Sequence, residues 1–227
     1  IPILRACGYD GSQAEHPPVL YDPKVNPLAL NEWGKLNVRP VLFRNGHSQI
    51  KDYMRQIGSV AAAEESGHYY HRITMGNLTV ACENSLLTTL LFLGSVKKQP
   101  KLLDELWALQ NTVRTTGEFN YQFADDATRD KAMATVIRHF TDEGAGTVTA
   151  TPDGIDLEGT VIGRGVTIDN RGVALTSGWY SGYLRIATNE KSVVRSYFSA
   201  ADPAVCERVE SEARTILAQD FHGNVID

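Results

Sequence analysis

Glu64, Ser66 and His68 place a carboxylate, a hydroxyl and an imidazole within one short segment, with Gly67 between the last two. A carboxylate accepts hydrogen bonds, a hydroxyl donates or accepts, and an imidazole can do either. Because glycine tolerates a left-handed backbone, Gly67 allows a turn on which the three side chains converge. These groups suit a ligand with several hydroxyls, such as a sugar. Taken alone, the segment also fits a polar surface turn after a buried strand.

Three further segments carry groups that suit an anionic ligand. Lys24 follows a short apolar run, and His47 lies in the segment 45–51, which has the composition of a turn followed by a helix start. The free N–H groups of such a start favour an anion. The segment 185–191 offers the donors that a phosphate needs, namely Arg185, Thr188, Asn189 and Lys191. Each segment also has a plain structural interpretation, as a surface lysine, a capped helix or a charged hairpin turn.

Composition limits the class of protein and of partner. A chain of 227 residues with 42% hydrophobic content can form one large domain or two ordinary ones with a real core. The net charge of −5 disfavours nucleic acid and anionic membrane surfaces as partners. The apolar runs are shorter than the ~20 residues of a membrane span. The few, widely spaced cysteines indicate a reducing, cytoplasmic location rather than a disulfide scaffold: Cys7, Cys82 and Cys206.

The first half of the chain alternates apolar runs with helical spacing, which predicts an α/β layer fold. The predicted strands are 18–22, 38–43 and 60–63, and the predicted helices are 1–11, 28–36, 47–57, 80–96 and 100–112. Ligands usually bind in the loops that follow such strands. The polar segments described above occupy several of these loops.

The second half of the chain predicts a different architecture. A helix over 126–142 precedes a series of short β runs, with turn signals at 152–154 and 169–172. The predicted strands are 147–150, 155–157, 166–168, 172–177, 183–187 and 193–200. Asp202 and Pro203 begin a closing helix that runs to about residue 218, and a loose tail follows from 221 to 227. The sequence therefore predicts two domains, 1–122 and 123–227.

Four segments occur in the order and rough spacing of one enzyme family: 19–24, 45–51, 64–68 and 185–191. They resemble the α-D-phosphohexomutases, which include phosphomannomutase and phosphoglucomutase. The resemblance covers nearly the whole chain and implies most of the third and all of the fourth of the family's four domains. The implied fold class is α/β then α+β. The third domain would be a three-layer α/β/α domain that lacks its first strand and its Asp-rich metal loop. It would precede a smaller C-terminal domain with an antiparallel sheet packed against helices (TBP-like).

The resemblance also implies roles for individual residues. Glu64 and Ser66 would hold hexose hydroxyls, with His68 beside them, and Lys24 and His47 would assist proton transfer or electrostatics in the same cleft. The family's phosphate-binding loop would correspond to Arg185, Thr188, Asn189 and Lys191. That loop departs from the usual Arg-x-Ser-Asn-Thr pattern, because Ala187 lacks the hydroxyl and the Thr and Asn are in swapped order.

The implied reaction converts a hexose 1-phosphate into a hexose 6-phosphate through an enzyme phosphoserine and a glucose or mannose bisphosphate. The family uses Mg²⁺. We expect the serine and the Mg²⁺ ligands outside this chain, in N-terminal domains of the same protein, and no metal ligand within it. The chain alone would then be inactive. An exposed edge of the first sheet would favour self-association.

Other functions remain open from the residues. His68 and His71, with His47 and Glu64 nearby, could bind a metal. A nucleotide site around 163–165 lacks a third glycine and a following helix. The main alternative is a non-catalytic sugar-phosphate-binding module. The residues do not distinguish glucose from mannose, which differ at one hydroxyl.

Overall fold

The computed structural model describes residues 1–169 and 172–226, and the chain divides into two compact units. The first unit comprises Ile1–Asn111 with Thr167–Ala174, and the second comprises Thr112–Val166 with Leu175–Asp227. Residues 170 and 171 of the predicted turn at 169–172 lie outside the described residues. No helix within the described ranges is long and apolar enough to cross a membrane.

The first unit alternates strands and helices before it ends in a hairpin and two helices. Its strands are β1 (Pro18–Tyr21), β2 (Arg39–Leu42), β3 (Ala61–Ala63), β4 (Tyr69–Met75) and β5 (Leu78–Glu83). Its helices are α1 (Pro2–Ala6), α2 (Pro27–Gly34), α3 (His47–Ile57), α4 (Ser85–Lys98) and α5 (Leu102–Gln110).

Local sequence explains where the helices that flank the sheet begin and end. The side chain of Asn26 accepts a hydrogen bond from the N–H of Leu28 at the start of α2, whose first residue is a proline. Helix α3 follows Gly46, and Gly58 ends it in the left-handed conformation, with φ of 68°. These short connections return the chain to the sheet after each helix.

The first sheet has the order β2-β1-β3-β4-β5. Strand β1 pairs in parallel with both β2 and β3, and β4 and β5 continue the sheet as antiparallel strands. The carboxyl ends of β1, β2 and β3 therefore share one edge of the sheet. Because β4 runs antiparallel to β3, its start lies at this edge, and the end of β5 returns to it.

The hairpin of β4 and β5 corrects the prediction of a helix over 80–96. Helix α4 begins only at Ser85, because the preceding residues pair with β4 through a two-residue turn of Gly76 and Asn77. A glycine–asparagine pair is a typical hairpin turn, and Gly76 has a φ of 60°. The register pairs Tyr70 with Glu83 at the base and Met75 with Leu78 beside the turn.

The second unit is a sheet-rich domain. Its strands are β6 (Arg114–Thr115), β7 (Phe119–Gln122), β8 (Gly146–Ala150), β9 (Asp156–Asp169), β10 (Gly172–Ile186), β11 (Val193–Ala200) and β12 (Asn224–Ile226), although residues 167–169 of β9 and 172–174 of β10 are grouped with the first unit. Its helices are α6 (Asp126–Asp142) and α7 (Pro203–Thr215), and a π-helical turn (Ile216–Asp220) follows α7. The sheet order is β12-β7-β11-β10-β9-β8, with β6 also paired to β11.

Helices α6 and α7 form the core of this unit together with the sheet. The helices contribute side chains at helical spacing, among them Val136, Phe140 and Val209, which are fully buried. The ring centroid of Phe140 lies 5.7 Å from that of Tyr180 and 5.5 Å from that of Phe198. The helix predicted over 126–142 is confirmed at both ends, and so is the expected fold class of α/β then α+β.

Two details of the second unit differ from the predictions. The short runs at 155–157 and 166–168 belong to one long strand, β9, and those at 172–177 and 183–187 belong to β10. The tail predicted to be loose forms β12, whose Val225 pairs with Tyr121 of β7 and covers an otherwise open sheet edge. The two compact units separate between Asn111 and Thr112, and the division into domains 1–122 and 123–227 stays a prediction.

Candidate functional site

Three polar residues follow neighbouring parallel strands at one edge of the first sheet. Asp22 follows β1, Asn45 follows β2, and Glu64 follows β3. The side-chain amide Nδ2 of Asn45 donates to Oδ2 of Asp22 and to Oε1 of Glu64, both at 3.0 Å. Asp22 is 2% exposed and Glu64 is 6% exposed. One amide group therefore bridges two buried carboxylates by donating a hydrogen bond to each, and it fixes the orientation of Glu64.

The hairpin adds aromatic and ionisable groups to the same edge. The hydroxyl of Tyr70 donates to Oε2 of Glu64 at 2.8 Å and lies 3.0 Å from Nδ1 of His47. Glu83 lies 3.0 Å from Nδ1 of His47 and 2.8 Å from Nδ1 of His68. The two imidazole rings are edge to face, with centroids 4.6 Å apart. Glu64, Tyr70, Glu83 and the two histidines form one cluster, which we call the edge cluster.

The turn from Glu64 to His68 has the conformation that its glycine allows. Gly67 has a φ of 89°, its N–H donates to the carbonyl of Glu64 at 3.0 Å, and the N–H of Glu64 donates to the carbonyl of His68 at 2.9 Å. Ser66 is exposed in this turn. The ammonium of Lys24 lies 3.9 Å from the carboxylate of Glu65. The structure thus brings the turn together with two of the predicted residues, Lys24 and His47.

Burial and hydrogen bonds raise the pKa of some groups in this region and lower the pKa of others. Burial raises the pKa of Asp22, although hydrogen bonds from Asn45 and the backbone oppose the shift. The hydrogen bond that His68 donates to Glu83 raises the pKa of His68, and the same contact lowers the pKa of Glu83. Burial and its bond to Glu64 raise the pKa of the Tyr70 hydroxyl, which is therefore neutral. The site therefore pairs His68, whose protonated form is favoured, with the ionised carboxylate of Glu83.

The sequence interpretation missed four members of this arrangement, for two different reasons. Asp22 and Asn45 lie in segments that it selected, but burial of the carboxylate and sharing of the amide are visible only in three dimensions. Tyr70 and Glu83 belong to the hairpin, which was not predicted. The cross-strand pairing of these two residues places their side chains on the same face of the sheet.

The histidines and carboxylates of the edge cluster are residue types that can bind a metal ion. Ligand atoms of His47, Glu64 and His68 lie within 4.8 Å of one another. Both oxygens of Glu64 already accept hydrogen bonds, and both histidines are bound through Nδ1 to Glu83. Mg²⁺ requires an octahedral set dominated by oxygen ligands, so this nitrogen-containing and internally bonded set does not fit it.

Two other histidines are poor candidates for the same purpose. His71, which the sequence suggested as a metal ligand with His68, is 5% exposed and has its Nε2 2.6 Å from the hydroxyl of Thr88. Burial lowers the pKa of His71. In the second unit, His139 lies near Glu143 and Glu212, but Arg208 binds both of these carboxylates at 3.0 Å. A bound guanidinium neutralises the charge that a cation would need.

The predicted phosphate-binding segment of the second unit connects β10 to β11. Arg185 and Arg195 are directly paired across these strands, and Glu118 lies 2.9 Å from Nη1 of Arg195 and 3.9 Å from Nη2 of Arg185. The Nε atoms of both arginines are buried, and within the described ranges they have no hydrogen-bond partner. The remaining predicted residues, Thr188, Asn189 and Lys191, are exposed in the connecting loop. Arg195 and Glu118 had not been predicted from the sequence.

The first unit matches a known protein family. The family model of phosphoglucomutase/phosphomannomutase, alpha/beta/alpha domain III, matches residues 5–113. This match includes the whole edge cluster and its sheet. The chain therefore carries a phosphohexomutase domain III. No match to the chain was found among curated protein sequences.

Solved structures extend the similarity of fold beyond domain III. A phosphoglucomutase/phosphomannomutase family protein from Burkholderia thailandensis is 19% identical, with a TM-score of 0.70 over 98% of this chain. Two Aspergillus fumigatus N-acetylphosphoglucosamine mutase structures are similar over 96% and 97% of this chain, at 11% and 10% identity, with TM-scores of 0.54 and 0.52. One is in complex with glucose 1,6-bisphosphate, the other with GlcNAc-6P and magnesium. At these identities the likeness shows the fold alone.

The similarity covers nearly all of this chain but less than half of each solved structure. The chain spans 42% of the Burkholderia protein and 41% of each Aspergillus structure. Domain III and the sheet-rich unit that follows it therefore correspond in fold to a part of longer proteins of the phosphohexomutase family.

Proposed function

We propose that the chain is the C-terminal part of a phosphohexomutase that interconverts hexose 1-phosphates and hexose 6-phosphates, with glucose or mannose as the hexose. The observation that carries the proposal is Glu64, which lies within domain III. Asn45 and Tyr70 fix its carboxylate at the carboxyl edge of the sheet, beside two histidines. Such an edge is the usual place for a ligand in an α/β fold. A fixed carboxylate is suited to accept hydrogen bonds from sugar hydroxyls.

The proposed roles follow from what each side chain can donate or accept. Glu64 and the exposed hydroxyl of Ser66 bind hexose hydroxyls, and His68 and His47 contact the ligand through their second ring nitrogen. Lys24, whose side chain is 11% exposed, supplies positive charge beside the cleft. A sugar with an anionic phosphate is the ligand class that matches this combination of groups.

The second unit is proposed to anchor the phosphate that is not transferred. Arg185, whose buried Nε has no hydrogen-bond partner among the described residues, provides the charged donor, and the exposed residues of its loop supply the rest: Thr188, Asn189 and Lys191. In the proposed reaction, an enzyme phosphoserine donates its phosphoryl group to one sugar hydroxyl, which gives a bisphosphorylated sugar. The other phosphoryl group of that sugar is then transferred back to the serine. The Mg²⁺ ligands are assigned to other domains of the protein, because the candidate donor sets among the described residues, the edge cluster and the His139 group, do not fit Mg²⁺. The proposal places the serine outside this chain as well.

Calorimetric titration of the chain with glucose 1-phosphate and mannose 1-phosphate tests this proposal. Replacing Glu64 by glutamine keeps the shape of the side chain but removes its charge, and we expect affinity to fall about tenfold or more, as for hydrogen bonds to charged groups. The matched control is Glu15→Gln, which removes an exposed carboxylate in the segment before β1. Equal affinity of the Glu64→Gln variant and the parent chain would contradict the assignment of the sugar-binding turn.

The second candidate is a non-catalytic module that binds sugar phosphates. The recognition groups of the two units favour it, since they need neither a phosphoserine nor Mg²⁺ to bind a ligand. Both candidates predict binding by the chain, and they differ in whether the complete protein is a mutase. We also propose self-association through an exposed edge of the first sheet, where β2 and β5 are the outer strands.

A further inference from the structure

A single carboxylate, that of Glu83, contacts both histidines of the edge cluster. Its Oε1 lies 2.8 Å from Nδ1 of His68, and its Oε2 lies 3.0 Å from Nδ1 of His47. The side chain of Glu83 is 29% exposed, whereas those of His47 and His68 are 53% and 40% exposed. The carboxylate therefore lies behind two imidazoles that face solvent more than it does.

The hydrogen-bond pattern determines which ring nitrogen of each histidine carries a proton. An ionised carboxylate only accepts, so Nδ1 of His68 must be the donor in its bond to Glu83. The hydroxyl of Tyr70 gives its proton to Glu64, and its oxygen can only accept from His47. Neither neighbour of Nδ1 in His47 can donate to it, so this nitrogen also carries a proton. Both histidines are thus held as the Nδ1–H form.

We propose that Glu83 is the positioning residue of the proposed hexose-phosphate site, acting on His47 and His68 together. By accepting both Nδ1–H groups, it orients the two rings and leaves Nε2 of each available to the ligand. A carboxylate in this position also stabilises the imidazolium form, in which Nε2 donates a hydrogen bond to an anion. This inference rests on the function proposed above, and it adds a residue to which neither the sequence motifs nor the resemblance assigns a role.

The charged groups around the histidines support this arrangement. The carboxylates that act on His68 are Glu83, which contacts it, and Glu64, which has an oxygen within 4.8 Å of a ring nitrogen of His68, and both raise its pKa. Glu83 also interacts electrostatically with His47, and both histidines lower the pKa of the Glu83 carboxyl group. Because Tyr70 is neutral, it adds no charge. Deprotonation of His68 is therefore displaced to higher pH while Glu83 is ionised.

A histidine titration followed by NMR tests the hold of Glu83 without any ligand. In ¹⁵N-labelled chain, the ring nitrogens of His47 and His68 are followed from about pH 5 to about pH 9, the range in which histidine titrates. In Glu83→Gln we expect the pKa of His68 to fall and the Nδ1–H form of both rings to lose population. Glu15→Gln should leave the titration of His68 and the Nδ1–H population of both rings unchanged. An unchanged titration of His68, with an unchanged Nδ1–H population of both rings, in Glu83→Gln would overturn the inference.

The pH profile of ligand binding then separates positioning through charge from a general loss of structure. With glucose 1-phosphate as the probe, the affinity of Glu83→Gln should equal that of the parent chain at low pH, where both histidines are protonated. Near neutral pH it should be about fivefold weaker, as for the loss of one solvent-exposed ion pair. Glu83→Asp, which keeps the charge, should recover part of the neutral-pH affinity. Equal weakening at every pH would contradict the positioning role.

The two tests also distinguish failure of this inference from failure of the proposed function. If the parent chain binds no sugar phosphate, the proposed function fails, but the NMR titration still decides whether Glu83 holds both histidines. If the parent chain binds and the titrations do not change, the function stands and the role of Glu83 is wrong.

Discussion

An aspartate in place of Asn45 should lower the free energy of unfolding of the first unit by about 3–5 kcal/mol near neutral pH, the cost of an uncompensated buried charge. Asn45 is the donor that Asp22 and Glu64 share, with both contacts at 3.0 Å. The substitution removes the N–H group and adds a third carboxylate between two that are almost fully buried. Coulomb repulsion and desolvation then act in the same direction.

The pH dependence of this effect has a definite sign. The introduced carboxyl should have a raised pKa in the folded state, because its charged form is repelled there and is solvated in the unfolded chain. A protonated carboxyl can still donate to one neighbour, so the penalty should be small in acid and should grow as the pH rises through the raised pKa. Urea unfolding of the variant at a series of pH values measures this change.

Two further variants separate the loss of the donor from the added charge. Asn45→Ala removes the donor alone and should cost about 1–3 kcal/mol. Asn77→Asp makes the same chemical change at an exposed position in the hairpin turn and should alter stability by no more than about 0.5 kcal/mol. Equal stability of Asn45→Asp and the parent chain at neutral pH would show that the shared amide is not the link between the carboxylates.

Truncation of Phe140 to alanine should destabilise the second unit by about 3–5 kcal/mol, the usual cost of a buried phenylalanine. Phe140 is fully buried on α6, and its ring contacts Tyr180 of β10 and Phe198 of β11. Removal of the ring therefore leaves a cavity between the helix and two central strands. A cavity loses both the transfer free energy of the ring and the contacts of the groups that lined it.

Denaturant unfolding monitored by circular dichroism measures this loss, and Trp107→Ala is the matched control. Trp107 is 65% exposed, so truncation of its equally aromatic side chain should change stability by about 0.5 kcal/mol or less. If the two units unfold in separate transitions, only the transition of the second unit should move in Phe140→Ala. A loss below about 1 kcal/mol would contradict the packing of α6 against the sheet.

The sequence predicted those parts of the fold that local signals determine. Helix α6 was predicted from apolar residues that share one helical face, among them Val136 and Phe140, and α7 was predicted from Asp202 and Pro203 at its start. The hairpin of β4 and β5 could not be predicted, because an apolar run at the end of a strand has the same composition as the start of the helix that follows. Strand β12 depends on pairing with distant β7, which no local signal specifies.

The candidate site was predictable to a similar extent and for similar reasons. The turn from Glu64 to His68 and the helix start at His47 were selected from residue types, and the structure brings them together with Lys24. The roles of these residues stay predictions. The partners that orient them, Asn45, Tyr70 and Glu83, act through contacts between strands, and a linear pattern does not contain such contacts.

The register of the β4–β5 hairpin has a consequence for how the protein can be altered. Tyr70 and Glu83 are paired at its base, while Met75 and Leu78, at 61% and 57% exposure, flank its two-residue turn. Insertion or deletion of residues in matched pairs at the tip changes the length of both arms equally and leaves the base in the same alignment. A single residue inserted within one arm, rather than at the tip, must be absorbed as a β-bulge, because otherwise it shifts the register and turns the side chains of that arm to the other face. The tip is therefore a natural attachment point for a fluorescent reporter or an affinity tag.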